Sequence, residues 1–175
     1  MQSLPIPTRA EINPFDCLDG QSAEKTFFGK DLEAAEKLFP QHEEDLMFMG
    51  PVAFRYYVQA AIRYFRRADA NSSGIIGFCS TLEFRLELEP EELIPIADQL
   101  ANICGYIVQH HDRFKFPISE EDKPAFISLL REQFGKLEIT LGGDSGYENL
   151  EDLLETRPRF AALVQAFQRL SQPAL

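Results

Sequence analysis

The sequence predicts an all-α fold: a compact multi-helix bundle of seven or eight helices, forming a single domain over residues 21–175 behind an N-terminal arm over 1–20. Three observations carry that prediction. Apolar residues recur at the i, i+3, i+4, i+7 spacing of a helix face in segment after segment. The strong punctuation, Asn71-Ser72-Ser73-Gly74, Pro117 and Gly142-Gly143-Asp144-Ser145-Gly146, falls between those segments. The chain has 175 residues of which 45% are hydrophobic, enough for one core and too many for a disordered polymer.

Pro5, Pro7 and Pro14 exclude a long helix from the first twenty residues, hence the arm. Ser22 is expected to cap the first helix, which Gly29 ends. A second helix starts at Asp31, with Leu32, Ala35, Leu38 and Phe39 on one face, and Pro40 is expected to stop it. The third is the clearest. Gly50-Pro51 opens it, because a proline in the first turn has no amide needing a partner. Phe54, Tyr57, Val58, Ala61 and Phe65 form one apolar stripe, and Val52, Tyr56, Ala60 and Tyr64 a second beside it. So broad an apolar surface predicts a central helix.

After Asn71-Ser72-Ser73-Gly74, a fourth helix is expected over residues 73–88 with Ile75, Phe78, Cys79, Leu82 and Leu86 inward. Pro90 breaks the chain. Glu91 and Glu92 then sit in the first turn of a fifth helix, where negative charge suits the dipole, and Leu93 through Ile107 continue it for about five turns. Alternation at 114–118 and 137–141 suggests a minor two-stranded element. A helix with Phe126, Leu129, Leu130 and Phe134 separates those two segments. One helix carrying Leu150, Leu153 and Leu154, and another starting at Pro158, close the bundle.

Charge narrows the function classes. With 28 acidic and 17 basic side chains the net charge is −11, so nucleic acid and anionic lipid are disfavoured as partners. No basic start is followed by an apolar run, and no stretch approaches the roughly 18–20 apolar residues of a membrane span. A cytoplasmic protein is therefore expected. Cys17, Cys79 and Cys104 are too few and too scattered for a disulfide framework or a CxxC zinc site, so reduced thiols are expected.

Few motifs carry chemistry. His42 and Asp45 are three residues apart and share a face if helical, which suits metal ligation. The remaining histidines are His110 and His111, so a metal site would draw on His42, Asp45, His110 and His111. The plainer reading of His110-His111 is a helix C-terminus, where imidazoles bond free carbonyls. Gly142-Gly143-Asp144-Ser145-Gly146 lacks the lysine of a phosphate loop and reads as a turn. No catalytic motif and no cofactor is expected. Arg63, Arg66 and Arg67, with Arg55 upstream, are interleaved with tyrosines and are expected to pair with Glu83, Glu87 or Glu89.

One run resembles a known group. Glu44-Asp45-Leu46-Met47-Phe48-Met49-Gly50 followed by Ala53-Phe54-Arg55-Tyr56-Tyr57-Val58-Gln59-Ala60 is similar to small bacterial proteins of unknown function that carry an aromatic F-R-Y-Y-L-P-A helix. The likeness covers residues 15–112, with Val58-Gln59 where Leu-Pro stands in that group. It implies a bacterial cytosolic protein and no particular activity.

The expected function is that of a non-enzymatic acidic binding domain for a basic protein, with a bacterial immunity protein held against a toxin enzyme as the sharpest version. Its partner surface is expected at Glu43, Glu44, Asp45, Glu89, Glu91 and Glu92, where negative charge would steer encounter. The alternatives are a small metal-binding protein or enzyme, and a regulatory or scaffold subunit, including a homo-oligomer built on the aromatic third helix.

Overall fold

A computed structural model describes residues 5–114 and 156–172, with positions 121, 122, 124, 125 and 128. All regular structure among these residues is helical, and no strand occurs among them. Residues 115–118 and 137–141, where a two-stranded element is expected, lie outside the described residues, as do Phe126, Leu129, Leu130 and Phe134 of the expected inner face and the segment 150–154.

The segment expected as an arm carries structure. A short helix α1 (Arg9–Ile12) begins with a reciprocal cap: the Glu11 amide donates to Thr8 Oγ1 at 3.4 Å, and the Thr8 amide donates to Glu11 Oε2 at 2.7 Å. Ile12 is fully buried in the core. Helix α2 (Leu18–Phe27) starts four residues before Ser22, because Cys17 Sγ accepts the Gly20 amide and serves as the cap.

Asp31 caps α3 (Leu32–His42) as expected, accepting the Ala34 amide at 2.8 Å. Pro40 lies inside α3 rather than ending it. In the last turn a proline removes only one amide bond, and the break appears just beyond, where the chain tightens to 3₁₀ geometry over Glu43–Phe48.

Helix α4 (Pro51–Arg66) is the central rod. Every residue of its first predicted stripe is buried, as are Tyr56, Ala60 and Tyr64 of the second, whereas Val52 is exposed. The Tyr57 hydroxyl donates to the Phe27 carbonyl at 2.6 Å and lies 3.2 Å from that of Lys30, which pins the turn between α2 and α3 to α4.

Asn71 organises the next connection: its Oδ1 accepts from the Ser73 amide at 2.8 Å and from the Tyr64 hydroxyl at 3.1 Å. Gly74, at φ +76°, then turns the chain into α5 (Ile75–Leu88). The predicted fifth helix is three pieces: α6 (Pro90–Leu93), a 3₁₀ turn over Ile94–Ile96, and α7 (Ala97–Gln109). Pro95 lacks an amide and crowds the carbonyl four residues back, so the α-helical ladder cannot run through it. The 3₁₀ turn His111–Arg113 follows, and α8 (Thr156–Leu170) lies along α7 and also touches α5.

Aromatic rings hold these elements together. Phe65 of α4 lies 5.4 Å from Phe39 of α3, 5.2 Å from Phe78 of α5 and 5.5 Å from Phe114, ring centre to ring centre. Phe78 reaches Phe160 of α8 at 6.3 Å.

Burial sorts the three thiols. Cys79 and Cys104 are buried and Cys17 is exposed; none is in a disulfide. Burial pushes the Cys79 thiol up to about 12 and raises Cys104 as well. The thiolate is the reactive form. In the native protein at pH 8 an aromatic disulfide reagent is therefore expected to titrate one thiol rapidly, and three in denaturant. A rapid native count of two or three would contradict the burial.

Candidate protein-interaction site

The six acids of the expected partner surface differ in their surroundings, and two of them are paired with arginines. Glu92 pairs with Arg55 at 2.6 Å and Glu89 with Arg85 at 2.6 Å. Asp45 Oδ2 is 3.3 Å from His42 Nδ1, an ion pair only when the imidazole is protonated. Glu43 is half-buried, folded over Gly77 so closely that a Cβ there would fall 2.4 Å from its Cγ. Glu44 and Glu91 are exposed, on different elements.

Burial holds the Glu43 carboxyl above the usual carboxylate range. A folded pKa above the unfolded one means that ionisation costs stability. The cost is complete above the folded pKa and vanishes as pH falls below the unfolded value, near 4.3 for a glutamate. Glu43→Gln is thus expected to raise the denaturant midpoint at pH 7 and to leave it unchanged near pH 3.5. Equal midpoints at pH 7 would show that burial does not penalise this carboxylate.

The three histidines have different neighbours. His42 ends α3 beside Asp45, His110 packs at a tilt against Tyr106 with ring centres 4.4 Å apart, and His111 Nε2 is 3.0 Å from the Thr156 hydroxyl at the start of α8. Among the described residues no three of His, Cys, Asp and Glu gather as metal ligands, so the four expected here do not form one cluster.

The arginines also pair otherwise than expected. Arg67 binds Asp69 at 2.5 Å and Glu36 at 3.3 Å, and Glu83 is taken by Arg159 at 2.6 Å. Arg63 is exposed and makes no ion pair among the described residues. All the lysines among the described residues, Lys25, Lys30 and Lys37, line one open groove of about 820 Å³ between α2 and α3, together with Asp31 and Glu33.

Two features outside the expected surface have the form of an interaction site. The first is a knuckle over residues 13–18. Asn13 is buried, and its side chain brackets Cys17: Oδ1 accepts the Cys17 amide at 3.2 Å and Nδ2 donates to the Cys17 carbonyl at 3.4 Å. Pro14 and Phe15 form the turn between them, and Asp16 adopts φ +47°, a conformation that costs an L-residue free energy. Close packing fixes the base. A Cβ on Gly20 would fall 2.1 Å from Asn13 Oδ1, and one on Gly50 would fall 2.5 Å from the Glu11 carbonyl. The Gly50 amide also donates to the Ile12 carbonyl at 3.1 Å. On this braced turn Phe15 and Leu18 are each 81% exposed, flanked by the exposed carboxylates Asp16 and Asp19.

The second feature is a groove of about 910 Å³ along α4, within the range of about 300–1,000 Å³ usual for binding clefts. Leu32, Val52, Tyr56 and Ile96 supply its apolar lining, and Arg55 and Arg63 stand along it. Gln59 and Gln99 bridge the groove at 2.8 Å. The opposite wall carries Glu11, Asp31 and Glu33. Glu11 and Asp31 cap helices, Glu33 pairs with Lys37 at 2.9 Å and Arg55 with Glu92 at 2.6 Å, so the lining carries three carboxylates against two guanidiniums, of which Arg63 makes no ion pair among the described residues.

Phe15 meets only Leu18 at i+3, and Leu18 has Gln21 and Ser22 at i+3 and i+4, so the pair belongs to no longer helical stripe, which is the signal the sequence offered for the knuckle. No helix among the described residues is long and apolar enough to cross a membrane. Comparison with protein-family models, with curated proteins and with solved structures finds no match to this chain.

Proposed function

We propose that this chain is a binding domain that docks on another protein through the Phe15–Leu18 knuckle, in a cytoplasmic setting. The observation that carries this reading is the pair of large apolar side chains, each 81% exposed, on a turn that burial of Asn13 and close packing at Gly20 and Gly50 hold in one conformation. Water disfavours that exposure, since burying such side chains is worth about 1.5–3 kcal/mol each. An aromatic anchor held rigid in advance loses little entropy on binding, which is the property of interface hot spots. Asp16 and Asp19 beside the anchors suit a receiving pocket with an apolar floor and a cationic rim. This keeps the basic partner expected from the net charge of −11, and moves its contact from the acids of 43–45 and 89–92 to the knuckle. A bacterial immunity protein that closes the cleft of a basic toxin enzyme is the sharpest version.

The test is a photo-crosslinking residue placed at Phe15 in the chain expressed in its native host, with the same residue at the exposed Ala68 as control. A light-dependent adduct with one defined protein, formed from position 15 and not from position 68, is the expected result. No adduct, or equal adducts from both positions, would overturn the reading.

A further inference from the structure

The α4 groove is acidic as well as apolar. We infer that it receives a segment of the same basic partner, a stretch of extended chain with an aliphatic side chain beside an arginine or lysine. This rests on the docking reading above and adds a second contact to the knuckle.

Charge comes first. Two of the five charges along the groove belong to ion pairs, Glu33 with Lys37 and Arg55 with Glu92. Glu11 and Asp31 remain against Arg63, so the uncompensated lining is negative. Both carboxylates cap helices with one oxygen: Glu11 Oε2 accepts from Thr8, and Asp31 Oδ1 accepts the Ala34 amide at 2.8 Å. Glu11 Oε1 and Asp31 Oδ2 make no hydrogen bond among the described residues. Each can accept from an incoming guanidinium or ammonium without disturbing its helix.

Apolar and amide groups narrow the occupant to a peptide. Val52 is 46% exposed, the one member of the two stripes of α4 that the core leaves uncovered, and it lies with Leu32, Tyr56 and Ile96 in the groove. A cation alone would leave that apolar lining wet, whereas an aliphatic side chain would cover it. Gln59 Nε2 donates to Gln99 Oε1 at 2.8 Å, which leaves the Gln59 carbonyl oxygen and the Gln99 amide without a bond among the described residues. One acceptor and one donor side by side are what an extended backbone offers groups for.

Placement joins the groove to the knuckle. Glu11 lines the groove and Phe15 tips the knuckle four residues later, so the two are at most about 14 Å apart along the chain. A standard interface covers about 800 Å² on each partner, a patch about 30 Å across. One partner therefore spans both. Its apolar pocket with a cationic rim meets the knuckle, and its basic segment meets the groove.

The experiment is fluorescence polarisation of the purified full chain with a labelled octapeptide that alternates leucine and arginine. Octapeptides alternating serine with arginine, and leucine with glutamate, are the comparison probes. Glu11→Gln with Asp31→Asn removes the two free charges and keeps both caps, which amides also serve. Val52→Ser removes apolar lining at an exposed position. Glu44→Gln with Glu87→Gln removes the same net charge at exposed positions outside the groove. The leucine–arginine probe is expected to bind, with affinity roughly tenfold weaker for either groove variant and unchanged for the Glu44 and Glu87 pair. The serine–arginine probe should bind roughly tenfold more weakly and the leucine–glutamate probe not at all. No binding, equal weakening by the two pairs of charge changes, or indifference to serine would overturn the inference. A photo-crosslinking residue at Val52 in the native host separates this contact from the knuckle. Adducts from positions 15 and 52 with one protein, together with probe binding, support both. An adduct from position 15 and none from 52 would sink the groove contact and leave the knuckle standing, and an adduct from 52 alone would do the reverse. No adduct from either would remove both.

Discussion

Arg85→Ala is expected to lower the unfolding free energy by about 3–5 kcal/mol, the usual cost of removing one partner from a buried ionic contact. The side chain of Arg85 is only 3% exposed. Its guanidinium binds Glu89 at 2.6 Å and donates to the Leu46 carbonyl at 3.2 Å and to the Met49 carbonyl. It also lies over the Phe54 ring, 4.7 Å from the ring centre. Alanine strands two carbonyls and a half-buried carboxylate together, and opens a hole against Phe54. Burial pulls the Arg85 pKa down while Glu89 opposes it, so the guanidinium stays charged and the penalty is that of unmaking charge-assisted bonds. Glu89→Gln should cost less, about 1 kcal/mol, because Arg85 keeps both carbonyls and its aromatic face. Arg85→Lys should fall between, since an ammonium lacks the planar fork that spans two carbonyls and a carboxylate. Urea midpoints at unchanged m value decide the order. The effect should also travel. Met49 precedes Gly50, whose amide holds the Ile12 carbonyl, so amide exchange around the knuckle is expected to speed up in Arg85→Ala. A loss under about 1 kcal/mol, or glutamine at 89 costing as much as alanine at 85, would mean that something else ties the 46–49 segment to α5.

The sequence shows nothing of this role, and the reason is physical. Arg85 follows Phe84 on a helix with glutamates at 83 and 87, where any arginine reads as a solvated partner for its neighbours. Burial of a charge is decided by which element covers it, here the 3₁₀ turn over Glu43–Phe48, and local periodicity contains no information on that. The same limit misplaced the partners of the central arginines. Arg55 reaches Glu92, 37 residues away, and Glu83 is met by Arg159, 76 residues away. Side chains this far apart in sequence pair only after the fold exists.

What was legible is whatever a single helix decides for itself. Pro51 and two apolar stripes specify α4, and Asp31 specifies the start of α3, because the cap and the stripe use neighbouring residues. Pro95 was readable in principle, but the apolar spacing continues on both sides of it through Leu93, Ile96, Ala97 and Leu100, so a break in the backbone was hidden by an unbroken pattern of burial. Helix α1 is four residues long, too short for periodicity, although Thr8 and Glu11 show the spacing of a capping box. The knuckle was the least legible. In sequence its apolar residues belong to an N-terminal arm, and only the fold shows Asn13, Gly20 and Gly50 bracing it. The acids were countable from sequence, but their count says nothing of how many remain free, and two of the six chosen as a partner surface are neutralised by arginines.

Phe65→Ala is expected to cost about 3–5 kcal/mol, the range for removing a fully buried phenylalanine. The position is the hub of the aromatic core. Its ring centre lies 5.4 Å from Phe39, 5.2 Å from Tyr64, 5.2 Å from Phe78 and 5.5 Å from Phe114, so one side chain ties α3, α4, α5 and the turn after α7 to each other. Three of these contacts, to Phe39, Tyr64 and Phe114, are edge-on, the arrangement that ring quadrupoles favour by about 0.5–1.5 kcal/mol beyond area. Domains are stable by only about 5–15 kcal/mol, so this one truncation removes a third or more of a typical margin. Leu88→Ala, on an exposed leucine, should change stability by about 0.5 kcal/mol or less and serves as the control. If the rings act as one packed unit, Phe65→Ala and Phe39→Ala will not add, and the double variant should lose less than the sum by about 0.5–3 kcal/mol. Additive losses would mean that Phe39 and Phe65 pack against separate surroundings. A cost near that of Leu88→Ala would show that the helices are held together by contacts other than this aromatic hub.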